Sequence, residues 1–507
     1  MTTPSPSPTT QVVSISLESS LQCAAQQLQS GLLSVTELDT SVKEKASRFN
    51  ASTGGFDQTY NAELDRLSSS LSASAHTIES KARALLLRAD ALAKSTTPSI
   101  NVSIDLRAQA KTLSKELLCL HKQTYVDAQE LRRIAALADG MLCTGRDFAE
   151  MTERRFEMSP WEVDQIGGSI VVLLSDVYSA IRELETKSDG LKEDKEWVAP
   201  TSFERVTTKY WVSDERLYEV LLSSVQDLPL LVYGRKGGRI LNQKEARSTD
   251  SSLASSALWT SFVTSISSVY FDSKEMSMYS ERLKRSEGAQ LFRIRWYGSK
   301  PCGEKNVYLE MKCHHEKWIG DKSVKERCAI QEKDVSQLLD LDSGSIWDEA
   351  RAYAMVQRAN STEDEKSIQK LAKLLLKMRA TIVNFKLTAC VRTKYTRVAL
   401  QSSSSNACRL TFDRDLMVIN ERGAAPSSSK SWCLEDHDTL SQLDIVKMPY
   451  NVYEVKIAGE DGKPNFVTEL EESQAIVEAK KFSKFLSGAS IFNADKVEWR
   501  REVCASV

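Results

Sequence analysis

The feature that most constrains the fold is a pair of short segments, 290–297 and 306–312, in which apolar and charged residues alternate. The first reads Phe292, Arg293, Ile294, Arg295, Trp296. Successive side chains of a strand point to opposite faces, so each segment predicts a strand with one apolar and one charged face. Similar alternation returns at 394–399, 408–413 and 452–457. The pattern therefore predicts an antiparallel sheet built from distant parts of the chain.

The charged faces of these strands carry mostly cations, with two carboxylates and one tyrosine: Arg293, Arg295, Glu310, Lys312, Tyr395, Arg397, Arg409, Glu454 and Lys456. If the sheet closes into a barrel, these side chains fill its interior. Unpaired buried cations cost several kcal/mol each, so such an interior must be wet or must hold an anion. Arginine forks fit phosphate oxygens, and a carboxylate among them suits Mg²⁺ or Mn²⁺ carried by a polyanion. A salt-bridged, solvent-exposed face remains the alternative.

Composition excludes several classes of protein. The chain has 507 residues and a formal net charge of −2, so no general basic excess favours nucleic-acid binding. Its ten cysteines include no C-x-x-C pair, which indicates a reducing compartment. The N-terminus lacks a signal-peptide pattern, and no apolar run approaches the roughly 20 residues that span a bilayer. We expect a cytoplasmic protein that reaches a membrane only through partners.

The pattern along the chain predicts a disordered tail at 1–14, helices over 15–190, and a polar linker at 191–200. Residues 201–490 combine strands with flanking helices and predict an α+β domain, followed by a tail at 491–507.

Individual helices are predicted from apolar residues at helical spacing. Two long helices are expected near 64–92 and over 105–139 in the N-terminal part. In the α+β part, helices are expected over 346–385 and over 473–486. The last of these would place Lys481 and Lys484, three residues apart, on one face, where they would cap the end of the barrel.

A resemblance to a known family rests on nine runs, at 202–211, 270–272, 287–289, 293–298, 310–312, 318–325, 449–450, 454–456 and 481–485. They resemble the catalytic domain of the vacuolar transporter chaperone (VTC) family, whose fold is similar to the triphosphate tunnel metalloenzymes. The resemblance covers roughly residues 200–490, in the family's order. It implies an antiparallel β-barrel tunnel with flanking helices, preceded by an all-α bundle or hairpin.

The activity that the resemblance implies is an ATP-dependent polyphosphate polymerase, which adds the terminal phosphate of ATP to a growing polyphosphate chain with Mn²⁺ or Mg²⁺ as the metal. Glu454 would be the metal ligand. Tyr395, Ser483 and Lys456 would also bind substrate. The phosphate-binding cations would be Lys209, Arg293, Arg295, Lys312, Lys325, Arg397, Arg409, Lys481 and Lys484.

Family members usually carry an N-terminal SPX domain, a helical sensor of inositol pyrophosphates, and residues 20–155 resemble a diverged one. Residues 122–145 lack most of its lysines, so a helical spacer or docking hairpin is expected instead. Transmembrane helices usually follow the catalytic domain but do not follow it here, so we expect docking to membrane-embedded VTC-type subunits on the cytosolic face of the vacuole or a similar acidic organelle. Met311 replaces a usual basic residue, with little expected effect because it lies on the apolar side of its strand.

Two other functions remain open. One is a non-catalytic, polyphosphate-binding or regulatory subunit of the same complex. The other is a tunnel-fold hydrolase of triphosphate or nucleoside triphosphate. Such hydrolases usually carry an E-x-E-x-K motif near the start of the domain, but here Val206 follows two residues after Glu204, which argues against this function.

Overall fold

The computed structural model describes residues 53–94, 100–142, 150, 160–188, 205–231, 262–315, 324–341, 347–401, 407–422, 432–434, 444–458 and 462–494. The predictions for 1–14, for the linker at 191–200 and for residues 495–507 lie outside these residues, as does most of the 318–325 run. The described chain divides into two compact units, one N-terminal and one C-terminal.

Long helices make up the N-terminal unit, as predicted: α1 (Thr53–Ala93), α2 (Ile100–Leu142) and the first part of α3 (Pro160–Ser188). Ile78 and Leu85 of α1 and Leu113 and Leu117 of α2 are buried. In α1 and α2 buried residues recur every three or four positions, which gives each of these helices one apolar face, whereas residues 166–177 of α3 are all buried. Among the described helices, none is both long enough and apolar enough to cross a membrane.

One antiparallel sheet organises the C-terminal unit. Its strands are β1 (Arg205–Val212), β2 (Thr264–Asp272), β3 (Gln290–Tyr297), β4 (Asn306–Cys313), β5 (Val324–Gln331), β6 (Thr388–Gln401), β7 (Cys408–Asn420), β8 (Ile445–Lys447), β9 (Asn451–Ala458) and β10 (Val477–Glu478). They pair in the order β10-β1-β9-β7-β6-β2-β3-β4-β5, and β8 pairs with β7. The predicted α+β class and antiparallel sheet are confirmed. No hydrogen-bonded pairing joins β5 to β10 in the described residues, so the sheet is not a fully paired barrel.

Helices surround this sheet: α4 (Leu217–Asp227), α5 (Ser277–Lys284), α6 (Val335–Leu339), α7 (Glu349–Ala359), α8 (Glu365–Asn384), α9 (Asn465–Glu472) and α10 (Lys484–Phe492). The apolar face of β2 to β5 packs under α6, α7 and α8, with Ile294, Leu309 and Leu375 fully buried. Met311 is in the same core at 1% exposure, on the apolar side that the alternation predicts. The charged residues of these strands therefore face the other way.

The prediction of a helix over 473–486 is wrong. The chain instead forms β10, and the backbone N–H of Ala479 donates to the Lys209 carbonyl at 2.8 Å. A turn follows in which Lys481 is left-handed, with φ of 59°, and α10 begins only at Lys484. Pairing with β1 thus overrides local helix propensity. Lys481 and Lys484 do not share a helix face.

The helical segment predicted over 346–385 forms two helices, α7 and α8. Asp364 caps the second by accepting the backbone N–H of Ser367 at 3.0 Å. An aspartate that satisfies free N–H groups in this way starts a new helix, so α7 and α8 pack as separate elements.

Replacing Gly488 with alanine is expected to destabilise the C-terminal unit by about 1–3 kcal/mol. A Cβ there would lie 2.7 Å from Val418 Cγ1, because α10 packs directly on β7. Urea unfolding of the full chain measures the change. Gly462→Ala is the control, since its Cβ would meet nothing within 4 Å. An equal effect of both substitutions would contradict the close packing of α10.

Candidate functional site

The sheet is rolled, so that strands distant in the pairing order face each other. Lys209 on β1 and Lys312 on β4 are six strands apart in that order. In a flat sheet they would lie about 29 Å apart. Lys209 and Glu454 nevertheless both act electrostatically on Lys312, which requires them to be close. The charged face is thus the inside of a tunnel.

Glu310 on β4 forms ion pairs with the cations on the wall of the tunnel formed by β3, β4 and β5. Its Oε2 accepts Arg293 Nε at 2.7 Å, and Lys325 Nζ lies 2.7 Å from Oε1. Arg295 and Arg327 are within 3.8 and 3.7 Å. Burial alone would raise the pKa of Glu310, but Arg293, Arg295 and Lys325 outweigh it and hold the pKa well below its usual value. Glu310 is therefore a fully buried anion.

Hydroxyl groups fix the two arginines of this wall. Arg293 Nη1 donates to the Tyr270 hydroxyl at 2.9 Å. Arg295 donates to Ser268 Oγ at 3.0 Å and to the Tyr395 hydroxyl at 3.4 Å. Ser268 and Tyr270 were missed as site residues. The available signal was that both lie on one face of β2, two positions apart.

Asp413 on β7 gathers a second group of cations. Arg397 contacts both of its oxygens, with Nη2 at 2.7 Å from Oδ2, and Lys484 Nζ donates to Oδ2 at 2.6 Å. Burial would raise the pKa of Asp413, but the two cations hold it well below its usual value. Sequence reasoning missed Asp413, although it lies four residues after Arg409 on the same strand face.

A third group contains the predicted metal ligand. Glu454 on β9 lies opposite Lys209 in the sheet, and Lys456 Nζ is 3.2 Å from its Oε2. Thr411 Oγ1 donates to the same oxygen at 3.4 Å. Burial opposes ionisation, but Lys456 and Lys209 lower the pKa of Glu454 to about 2. Glu454 is therefore ionised at neutral pH.

Lys312 has the most unfavourable electrostatic environment of these residues. Burial, followed by the neighbouring cations Arg293, Lys209 and Lys325, holds its pKa well below the usual 10.5. Within the described residues, no hydrogen-bond acceptor or ion-pair partner contacts its Nζ. A half-buried cation whose neighbours are mostly cations indicates a site prepared for an anion.

The remaining predicted residues occupy less central positions. Arg409 is half-buried on β7, opposite Lys456. The Ser483 hydroxyl accepts the backbone N–H of Leu486 at 3.5 Å as the cap of α10. Lys481 is exposed in the turn before α10. The structure thus brings most of the predicted residues onto one tunnel face, while Lys481 and Ser483 belong to the turn at its end.

The number of carboxylates available in the tunnel decides what kind of metal site the protein could form. Among the described residues, no three His, Cys, Asp or Glu side chains cluster as a metal site would require. Glu310 lies within 3.8 Å of four cations and Asp413 is bound by two, whereas Glu454 has one lysine and a weak hydroxyl contact. One carboxylate plus phosphate oxygens is a usual arrangement for Mg²⁺. Glu454 is therefore the carboxylate that would hold a divalent ion brought in by an anionic ligand.

Because the pKa values of the tunnel carboxylates are lowered, the protein is expected to lose stability in acid. The folded pKa of Glu454 is about 2 against its usual 4.5, so its ionisation stabilises the fold above pH 4.5, and that stability is lost as pH falls towards 2. Glu310 and Asp413 shift in the same direction. The melting temperature of the full chain is expected to fall between about pH 5 and pH 2, measured by calorimetry. Glu454→Gln should show a smaller fall, and an equal fall would contradict the assignment.

A rolled antiparallel sheet with helices outside and cations inside defines a tunnel-fold class of protein. The family model described as the VTC domain matches residues 204–493, more than half of the sequence. The chain therefore belongs to the VTC family.

Relatives support this membership. Vacuolar transporter chaperone complex subunit 4 of Schizosaccharomyces pombe is 31% identical over 337 residues, which cover 65% of this chain and 42% of that protein. Subunit 4 of Trypanosoma brucei brucei is 29% identical, over 63% of this chain and 38% of its own length. Subunit 2 of Schizosaccharomyces pombe is 24% identical, over 57% and 38%. The matches thus span less than half the length of these relatives.

Proposed function

We propose that this chain is an ATP-dependent polyphosphate polymerase that works inside the tunnel. The observation that carries the proposal is Lys312, a half-buried lysine of the tunnel face whose charged neighbours are the cations Arg293, Lys209 and Lys325 and the single carboxylate Glu454. Such a group is stabilised when a polyanion enters. The type of reaction is inferred from the family resemblance, and the similarity to proteins named vacuolar transporter chaperone complex subunit 4 supports that inference.

The transfer requires little covalent chemistry from the protein. A terminal oxygen of the polyphosphate chain attacks the γ-phosphorus of ATP, the bond to the β–γ bridging oxygen breaks, and ADP leaves with the electron pair. The attacking oxygen is already ionised, so no proton has to be removed. Consistent with this, Glu310, Asp413 and Glu454 all have lowered pKa values and do not act as bases at neutral pH.

The tunnel residues would supply positioning and charge neutralisation. Arg293 and Arg295 are held by side-chain hydrogen bonds before substrate arrives, so little ordering is needed to bind phosphate. Lys209 and Lys312, from opposite walls, would hold the donor and acceptor phosphates in line. Glu454 would hold the divalent metal, which would neutralise charge on the transferred phosphate.

The test is incubation of the full chain with ATP, Mn²⁺ and a pyrophosphate primer, with products separated on a polyphosphate gel. We expect a ladder of products that Arg293→Ala abolishes. Arg358→Ala is the matched control. Arg358 lies on α7, outside the tunnel, where it pairs with Asp334 at 2.9 Å, so its loss should leave the ladder unchanged. Orthophosphate without a ladder would identify a hydrolase.

The second candidate is a polyphosphate-binding subunit without polymerase activity. Similarity to proteins named complex subunit 2, at 24% identity, is the observation that favours it. A tunnel that binds tripolyphosphate but forms no ladder would support this role.

The names of the relatives also support a proposal for partners and location. Each is named as a subunit of a vacuolar transporter chaperone complex. We propose that this chain joins membrane-embedded subunits of such a complex on the cytosolic face of the vacuole. Co-purification of tagged chain with vacuolar membranes tests this, and recovery only from the soluble fraction would contradict it.

A further inference from the structure

Glu310 and Asp413 are carboxylates inside the tunnel to which the proposed phosphate transfer gives no part. Each is 1% exposed and lies between cations that come from different elements of the fold. Five predicted phosphate ligands pair with these carboxylates: Arg293, Arg295 and Lys325 with Glu310, and Arg397 and Lys484 with Asp413.

The contacts to these carboxylates are those that a phosphate would make. Arg397 binds Asp413 through two N–H groups on two oxygens, and Lys484 adds a third contact at 2.6 Å. A guanidinium recognises carboxylate and phosphate with the same bidentate geometry. Asp413 therefore occupies donors that a phosphate group would otherwise use, and Glu310 does the same for Arg293.

This occupation has two opposing effects on phosphate binding. Fixed cations lose less side-chain entropy when a ligand binds, which favours binding. Each buried anion also cancels part of the positive potential, which weakens it. A growing polymer must move through the tunnel, and movement requires sites that bind firmly enough to fill and weakly enough to empty.

We propose that Glu310 and Asp413 are internal counter-anions. They are positioning residues that hold five tunnel cations in place and compete with phosphate for them, so that the polyphosphate product can leave. This inference rests on the proposed function of the tunnel. On this view the tunnel contains two kinds of cation. Some are already neutralised by a carboxylate, and others, such as Lys312, would be neutralised only when substrate binds.

The test measures binding of tripolyphosphate to the full chain by titration calorimetry, with a chelator present so that Glu454 and metal play no part. Asp413→Asn and Glu310→Gln keep the side-chain size and remove the charge. We expect each variant to bind about tenfold more tightly, with a steeper dependence of Kd on salt concentration. In the polymerase assay, kcat should fall because the product is retained.

Glu421→Gln is the matched control. Glu421 is a buried carboxylate 2.8 Å from Arg392, which lies on the outer face of the sheet opposite Val269. Its loss should lower stability without changing the Kd for tripolyphosphate.

Unchanged or weaker binding by a folded Asp413→Asn or Glu310→Gln protein would overturn the inference and leave a purely structural role. The two carboxylates lie on different strands, so Glu310→Gln decides the matter if Asp413→Asn does not fold. Failure of the unsubstituted chain to bind tripolyphosphate would overturn the proposed function itself.

Discussion

Replacing Lys312 with methionine is expected to stabilise the ligand-free protein and to abolish most of its activity. Burial and three neighbouring cations penalise the charge on Lys312. Methionine fills similar space without a charge, so the melting temperature should rise by about 2–4 °C. The same substitution removes a positive charge from the proposed path of the phosphate. Loss of one such stabilising group typically lowers kcat about 100-fold or more.

The effect on stability should depend on pH in a defined direction. The folded pKa of Lys312 is lower than its unfolded value, so the penalty is complete below the folded pKa and disappears as pH rises towards 10.5. The stabilisation by methionine should therefore be larger at about pH 7 than at about pH 10. Melting curves of both proteins at the two pH values, with polymerase assays, provide the measurement.

Lys370→Met is the control for this experiment, since Lys370 is exposed on α8. It should change neither the melting temperature nor the polyphosphate ladder. A lower melting temperature for Lys312→Met would show that the charge of Lys312 is satisfied in the free protein.

The strands and much of the site were predictable because both depend on one local pattern. Alternation with period two places Arg293 and Arg295 on one face and Phe292 and Ile294 on the other, whatever the rest of the fold does. The apolar face of these strands packs against α6 to α8, and the opposite face of the same strands lines the tunnel. Recurrence of the pattern in distant segments indicated that the charged faces meet.

The features that were missed depend on contacts between distant residues. Asp413 gains its role only because Arg397 lies beside it on β6 and Lys484 reaches it from α10, 71 residues later. The turn at Lys481 follows from pairing of β10 with β1, more than 260 residues apart in sequence. Local propensity carries no information on such pairings.

Replacing Glu454 with glutamine is expected to remove nearly all polymerase activity, with a loss of about 100-fold or more in kcat. Glutamine keeps the shape and the contact with Thr411 but removes the negative charge, which the pKa of about 2 shows to be present at neutral pH. A neutral amide is a weaker ligand for a divalent ion than a carboxylate. The site would then lose its protein ligand while keeping its cations.

Two measurements separate this role of Glu454 from a general effect on the tunnel. Raising the Mn²⁺ concentration should partly restore activity to Glu454→Gln, because mass action compensates for weaker metal binding, and should not restore Arg293→Ala. Metal-free binding of tripolyphosphate should be as tight in Glu454→Gln as in the unsubstituted chain, or tighter, because the tunnel has lost an anion. Activity that is unaffected by the substitution would assign the metal to another residue, whereas weaker metal-free binding would show that Glu454 orders Lys209 and Lys456 instead.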